Sequence, residues 1–169
     1  MDFALLILRL AVGLLLAGHG AQKLFGWFGG HGLPGTSGWL ASIGFRPARF
    51  WALTVGICEF GGGLLFALGF LSPLGSLGIA ASMLTAIAKV HWPKVWATEG
   101  GIELPLVDLV VVIAVGVAGP GKVSLDGALG TGLPEPFALI GIVLVLVGWI
   151  VALVTSAKRP IQKAVGESR

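Results

Sequence analysis

Five apolar segments dominate the hydrophobic pattern of the chain. They cover about residues 3–25, 48–71, 76–90, 103–118 and 137–155, and turns rich in glycine, proline and polar residues separate them. A helix of about 20 apolar residues is long enough to cross a hydrocarbon core of about 30 Å. The pattern therefore predicts an all-α membrane protein, a transmembrane helical bundle with a four-helix core plus a fifth C-terminal helix.

The turns contain residues that begin and end helices. Pro34 marks a turn in the first loop, where residues 39–45 are expected to form a short interfacial helix capped by Ser37. Pro93 ends the third segment, because proline cannot donate the next helical hydrogen bond. Glu103 begins the fourth segment, since an acidic residue suits the first turn of a helix.

The composition agrees with a membrane protein. Hydrophobic residues make up 56% of the 169 residues and charged residues only 11%, which does not fit a soluble domain. The 28 glycines, including the run 61–63, suit membrane helices that pack closely through small residues. The basic residues form no patch interleaved with aromatic residues, so the composition argues against nucleic-acid binding.

The single cysteine and the N-terminal residues limit the chemistry and the processing of the chain. Cys58 is the only cysteine, so the chain has no internal disulfide and no dithiol, and a redox role requires a redox group from elsewhere. Asp2 and Arg9 interrupt the pattern of a cleaved secretory signal, which is therefore not expected.

The distribution of lysine and arginine predicts the orientation. One side of the expected bundle carries nine basic residues and the other only Lys122, apart from Arg9 within the first helix. Basic loops stay in the cytoplasm, so we expect the N-terminus outside and the C-terminus in the cytoplasm. The nine residues are Lys23, Arg46, Arg49, Lys89, Lys94, Lys158, Arg159, Lys163 and Arg169.

A polar face interrupts the first apolar segment. His19, Gln22 and Lys23 have the spacing i, i+3, i+4, which places them on one side of a helix. On a helical wheel of about 100° per residue, Arg9 falls on the same side. Lipid does not tolerate such a face, so we expect it to turn toward the other helices.

Glu59 lies about eleven residues into the second segment, near the middle of the bilayer at about 1.5 Å per residue. A carboxylate at this depth needs a partner or a proton, and Arg9 and His19 are the candidate partners. Two interpretations remain open. Glu59 forms either a buried pair that fixes the helix register or a proton or quinone site.

Asp108 lies one turn into the fourth helix, at a depth similar to that of His19, Lys23 and His91. These residues either line a shallow polar cavity or extend separately to the interface. The histidines and Cys58 have no metal-ligand spacing, so no metal site is predicted. The candidate intramembrane polar site consists of Glu59, His19, Arg9, Lys23, Gln22, Asp108, His91 and Glu103.

Five short motifs, taken in order, resemble the DoxX family. They are Gly18-His19-Gly20 with the run 22–30, Glu59 before paired glycines, His91 with Pro93-Lys94, Gly101-x-Glu103-Leu104-Pro105-Leu106, and Gly119-Pro120-Gly121-x-x-Ser124-Leu125-Asp126. The resemblance covers about residues 4–128. It implies a small bacterial-type inner-membrane protein with a four-helix core. Relatives are subunits associated with quinone-linked oxidation of sulfur compounds and membrane partners of oxidative-stress enzymes.

The resemblance and the apolar pattern together predict three regions. Residues 1–128 form a DoxX-like four-helix transmembrane domain, residues 129–157 a connector and a fifth transmembrane helix, and residues 158–169 a basic cytoplasmic tail. The fifth helix departs from the four-helix pattern of the family. The resemblance supplies no agreed set of catalytic residues.

Three functions follow as hypotheses. The first is an accessory or docking subunit of a quinone-linked or oxidative-stress oxidoreductase, with quinone near Glu59, His19 and Asp108. The second is a membrane scaffold without chemistry, which recruits soluble partners. The third is a small transporter or proton-conducting protein that uses Glu59. The sequence predicts contact with the lipid bilayer but no oligomeric state.

Overall fold

The computed structural model describes residues 1–156, which form seven α-helices. A π-helical turn, Ile87–His91, extends the fourth helix, and short 3-10 turns lie at Trp27–Gly29 and Ala97–Glu99. The α-helices are α1 (Asp2–Phe25), α2 (Gly32–Ser42), α3 (Ala48–Leu68), α4 (Leu74–Ala86), α5 (Glu103–Ala118), α6 (Leu125–Leu129) and α7 (Glu135–Thr155).

Four helices within residues 1–156 are long and apolar enough to cross a membrane. They are Asp2–Phe25, Ala48–Leu68, Leu74–His91 and Pro136–Thr155. The prediction of an all-α membrane protein is therefore confirmed. α5 has 16 residues, or about 24 Å at 1.5 Å per residue, so it is shorter than these four. That α5 also spans the membrane stays a prediction.

α1 and α3 pack against each other in antiparallel directions through small residues. A Cβ atom added at Gly13 would lie 2.7 Å from the backbone nitrogen of Ala67, and one added at Gly20 would overlap the backbone of Phe60. Only glycine permits so close an approach of two backbones. In the second segment the run 61–63 packs as expected at Gly63, where an added Cβ atom would lie 2.6 Å from the backbone nitrogen of Ala17, but not at Gly61, which has open surroundings.

α4 and α5 complete a bundle with α1 and α3 around one apolar core. α7 packs mainly against α4, and only 6% of its apolar window is buried, so most of its apolar surface is left to lipid. The buried core residues are Leu16, Phe66, Ile79, Met83, Leu109, Val112 and Val115.

The first loop contains more helix than the sequence predicts. The expected helix over 39–45 is observed as Gly32–Ser42, so Ser37 lies inside it and is not its cap. Pro34 is accommodated because the first four N–H groups of a helix have no partner within the helix. The Oγ1 atom of the buried Thr36 lies 2.9 Å from the carbonyl oxygen of Gly32 and 3.1 Å from that of Lys23, so its one hydroxyl proton is shared between them and attaches α2 to the end of α1.

Lys89 fixes the C-terminal end of α7. Its Nζ atom donates to the carbonyl oxygens of Leu153 and Ser156, each at 3.2 Å. A cation at this position stabilises the unpaired carbonyls at the end of a helix. The predicted basic tail, 158–169, lies outside the described residues.

Candidate functional site

Glu59 is the buried acidic residue at the centre of the bundle. It lies in the middle of α3 and is 3% exposed. Its Oε2 atom forms an ion pair with Nζ of Lys23 on α1. Its Oε1 atom accepts a hydrogen bond of 2.7 Å from the Ser82 hydroxyl on α4. Three helices thus meet at one carboxylate whose two oxygens both have partners.

The expected partners of Glu59, Arg9 and His19, are not its partners. Because α1 and α3 are antiparallel, Arg9 lies beside Gly69, about 15 Å along α3 from Glu59 at 1.5 Å per residue. His19 is exposed, and its Nδ1 atom is 3.1 Å from Oε1 of Gln22. For Arg9 the helical wheel gave a buried face but not the height relative to α3, whereas the exposure of His19 contradicts the expectation that the whole polar face turns toward the other helices.

Arg9 belongs to a second polar cluster, at the opposite end of the bundle. Its side chain is 1% exposed and donates to the carbonyl oxygens of Ala67 and Val123. Asp126 lies nearby and accepts hydrogen bonds of 2.9 and 2.8 Å from two backbone N–H groups of the turn between α3 and α4. These contacts tie α1, the α3–α4 turn and the segment before α6 together.

Lys23 connects Glu59 to a cavity of about 320 Å³ at the C-terminal end of α1. We call this cavity the polar vestibule. Beside it, Gln22 donates to the carbonyl oxygen of Phe28 at 3.2 Å. The lining residues are Gln22, Lys23, Gly29, Gly30, His31, Gly35, Thr36 and Trp39.

Ser82 connects Glu59 to a second cavity, of about 260 Å³, between α3, α4 and α7. We call it the membrane pocket, since its wall is largely apolar and one side is formed by the lipid-facing α7. The lining residues are Trp51, Thr54, Val55, Cys58, Gly78, Ala81, Ser82, Thr85, Leu144, Val145, Gly148 and Trp149.

Lys23, Glu59 and Ser82 therefore form a hydrogen-bonded connection between the two cavities, which we call the polar bridge. Lys23 lines the polar vestibule and Ser82 lines the membrane pocket. Side chains that donate and accept in sequence are able to hold a proton and pass it on. The arrangement links a polar cavity to an apolar one.

The remaining predicted residues divide into two groups. Asp108 on α5 is half-buried. His91 Nδ1 is 2.7 Å from the carbonyl oxygen of Gly100, and Glu103 accepts from the backbone N–H of Ala97 at 2.8 Å. The contacts of His91 and Glu103 thus shape the loop between α4 and α5. The functional roles of all eight residues stay predictions.

Three residues of these clusters do not stand out in the sequence. Ser82 is a small residue in an apolar segment, and Trp149 is one apolar residue among many in α7. Asp126 belongs to the motif over 119–126, but its position in the sequence does not indicate that it lies near Arg9. Their positions follow from the tertiary arrangement of the helices, which no local pattern encodes.

The comparisons with known proteins identify a family. The family model described as DoxX matches residues 4–92. No curated protein and no solved structure matches the chain. The matched segment contains the whole polar bridge and ends before Asp108 and α7, so it is shorter than the predicted domain over 1–128. Since the match covers more than half of the chain, this multi-pass membrane protein belongs to the DoxX family.

Proposed function

We propose that the chain is a membrane docking subunit of a quinone-linked or oxidative-stress oxidoreductase system. In this role it holds a quinone and supplies protons while a partner supplies electrons. The observation that carries the proposal is the polar bridge, which connects the polar vestibule to the membrane pocket.

Reduction of a quinone to a quinol consumes two electrons and two protons. The chain has one cysteine and hence no dithiol, so in this proposal both electrons come from a partner that carries a flavin or a metal centre. The protons must reach a ring that lies in hydrocarbon. Intramembrane acidic residues that pair with other polar groups serve such proton relays.

The polar bridge is able to deliver these protons one at a time. Lys23 transfers a proton to Glu59 and regains one from the polar vestibule. Once Glu59 is protonated, the Ser82 hydroxyl turns from Glu59 to the reduced quinone oxygen and gives it a proton, while Ser82 Oγ accepts the proton of Glu59. The hydroxyl then turns back to Glu59, which restores the bridge, and no group other than the quinone changes its redox state.

The proposal also places the chain in a bacterial-type inner membrane, with the N-terminus outside. Five basic residues within 1–156 support this orientation, since they lie at or beyond the helix ends that border the α1–α3 and α4–α5 connections. These residues are Lys23, Arg46, Arg49, Lys89 and Lys94.

The test compares membrane vesicles from a host without the gene and from the same host complemented with each variant. Reduction of decylubiquinone with a reduced sulfur compound as the electron donor and growth in peroxide are measured. We expect the wild type to restore the deficit and Glu59→Gln to lower quinone reduction at least about tenfold at equal expression, as general acid–base groups contribute on the order of 10²-fold or more. Glu99→Gln, a change at an exposed loop residue, is the matched control.

The scaffold hypothesis and the proton-conduction hypothesis predict different results. A scaffold without chemistry retains full function in Glu59→Gln. A proton-conducting protein dissipates a pH gradient in liposomes that contain no quinone. If loss of the gene changes neither quinone reduction nor growth in peroxide, the docking-subunit proposal is wrong.

A further inference from the structure

We infer that the membrane pocket binds the ring of an isoprenoid quinone, with Nε1 of Trp149 donating a hydrogen bond to a ring carbonyl oxygen. This inference rests on the proposed function, because it identifies where the quinone of that proposal sits. It assigns a binding role to α7, which lies outside the segment that matches the family.

Trp149 provides the first argument. Its Nε1 atom is buried and has no hydrogen-bond partner among residues 1–156. An indole N–H is a donor only, and buried donors in folded proteins are almost always paired. Trp51, which lines the same pocket, already donates to the carbonyl oxygen of Arg46 at 3.3 Å. Trp149 lines the pocket, so a turn of its buried indole edge toward the cavity would let a ligand oxygen supply the missing acceptor.

The depth of Trp149 indicates which molecule supplies the oxygen. Trp149 is four residues from the middle of α7, or about 6 Å along the helix at 1.5 Å per residue. The edge of the hydrocarbon core, where phospholipid ester carbonyls begin, is about 15 Å from the midplane. An acceptor at the depth of Trp149 therefore belongs to a molecule that enters the hydrocarbon core. A quinone ring meets this condition.

The shape and the polarity of the pocket fit a ring with a tail. Its volume of about 260 Å³ is close to the lower end of the roughly 300–1,000 Å³ of small-molecule sites. That volume suits a ring whose long apolar tail remains in lipid. Ser82 lies in the same wall, and since its hydroxyl donates to Glu59, its lone pairs are free to accept from a quinol.

Fluorine NMR of the full-length protein in lipid nanodiscs tests the inference. The six tryptophans are replaced by 5-fluorotryptophan, and the Trp149 signal is assigned by its loss in Trp149→Phe. Titration with decylubiquinone should shift the Trp149 signal and leave that of Trp27, which lies outside the pocket, unchanged. Loss of one hydrogen bond in Trp149→Phe should weaken quinone binding about two- to tenfold.

A second variant blocks the pocket without depending on Trp149. Gly148 lines the pocket, and a Cβ atom added there meets nothing within 4 Å, so Gly148→Leu fills open space and should weaken binding more than tenfold. Gly61→Leu is the matched control, because Gly61 has equally open surroundings and is not a lining residue of the pocket.

Each outcome has a defined meaning. An unchanged Trp149 signal on titration, or wild-type affinity in both Trp149→Phe and Gly148→Leu, overturns the inference. A Trp149 signal that responds to a change of phospholipid but not to quinone also overturns it, since the occupant is then a lipid. Quinone binding in the pocket without quinone-linked activity in vesicles supports the inference and removes the proposed function. Quinone-linked activity that depends on Glu59 but not on the pocket supports the proposed function and overturns the inference.

Discussion

Replacing Glu59 by glutamine tests whether the ion pair with Lys23 holds three helices together. The carboxylate accepts from both the Lys23 ammonium and the Ser82 hydroxyl. Glutamine has a single acceptor oxygen, so with that oxygen on Lys23 its NH2 group faces Ser82, whose hydroxyl must change from donor to acceptor. The Lys23 ammonium then keeps a neutral acceptor but loses its negative partner.

The exposure of the two side chains sets the expected magnitude. Removing one member of a fully buried pair costs about 3–5 kcal/mol. The Lys23 side chain is 27% exposed and that of Glu59 4%, so the lysine left behind can turn toward the polar vestibule. We expect Glu59→Gln to lower the free energy of unfolding by about 2–3 kcal/mol, below that range. Lys23→Met should cost more, since it strands the more buried partner.

The double variant separates a pair interaction from two independent effects. Removing both charges leaves neither one stranded, so Glu59→Gln combined with Lys23→Met should cost less than the two single changes together. The difference should be on the order of 1–3 kcal/mol, as for residues in direct contact.

Unfolding in mixed micelles with increasing sodium dodecyl sulfate, followed by circular dichroism, measures these free energies. Glu99→Gln, at an exposed loop residue, should stay within about 0.5 kcal/mol of the wild type. Wild-type stability in Glu59→Gln, or strictly additive costs in the double variant, would refute the structural role of the pair. The membrane-bound carboxyl would then be a neutral residue without a partner.

Three further predictions concern the packing and the topology of the bundle. Gly20→Ala places a methyl group on the backbone of Phe60 and should cost about 1–3 kcal/mol. Gly18→Ala meets nothing within 4 Å and should not lower the free energy of unfolding, since alanine favours a helix more than glycine does. Equal stabilities of the two variants would contradict the α1–α3 contact. Lys89→Met removes the donor to two carbonyls at the end of α7 and should increase proteolytic cleavage near residue 156 in detergent. Lys94→Met is the control. Equal cleavage in both variants would show that Lys89 does not hold α7. A reporter fused after Arg169 should be active only in its cytoplasmic form, and periplasmic activity would exclude the orientation inferred from the basic residues.

The apolar pattern predicts most helices because a bilayer enforces it. A segment of an α-helical membrane protein that crosses hydrocarbon must satisfy its backbone within the helix, so the predicted segments 3–25 and 137–155 are observed as the helices Asp2–Phe25 and Glu135–Thr155. The apolar pattern did not predict the full extent of α2. Its glycines and Pro34 resemble a loop locally, and the hydrogen bonds of Thr36 to neighbouring carbonyls appear only in the folded protein.

The candidate site was predictable only in part. The sequence indicates that Glu59 needs a partner, because an unpaired carboxylate in the bilayer is costly. It does not indicate that Lys23 is that partner, since the choice depends on the height of α1 relative to α3. That height is set by glycine contacts such as Gly13 with Ala67. The sequence also does not predict that Trp149 lines the membrane pocket, because this depends on which side of α4 the last helix occupies.

The bonds of Arg9 have a consequence for biosynthesis. Its two carbonyl acceptors lie 58 and 114 residues further along the chain. At 5–20 residues per second, the ribosome makes Ala67 roughly 3–12 s after Arg9 and Val123 roughly 6–23 s after it. During that interval Arg9 lacks its final partners, and a charge within a membrane helix costs up to about 2.5–3.5 kcal/mol on translocon scales, the value for the helix centre. The first helix must therefore enter the membrane before its own charge is satisfied, and its insertion and its final docking are separate events in time.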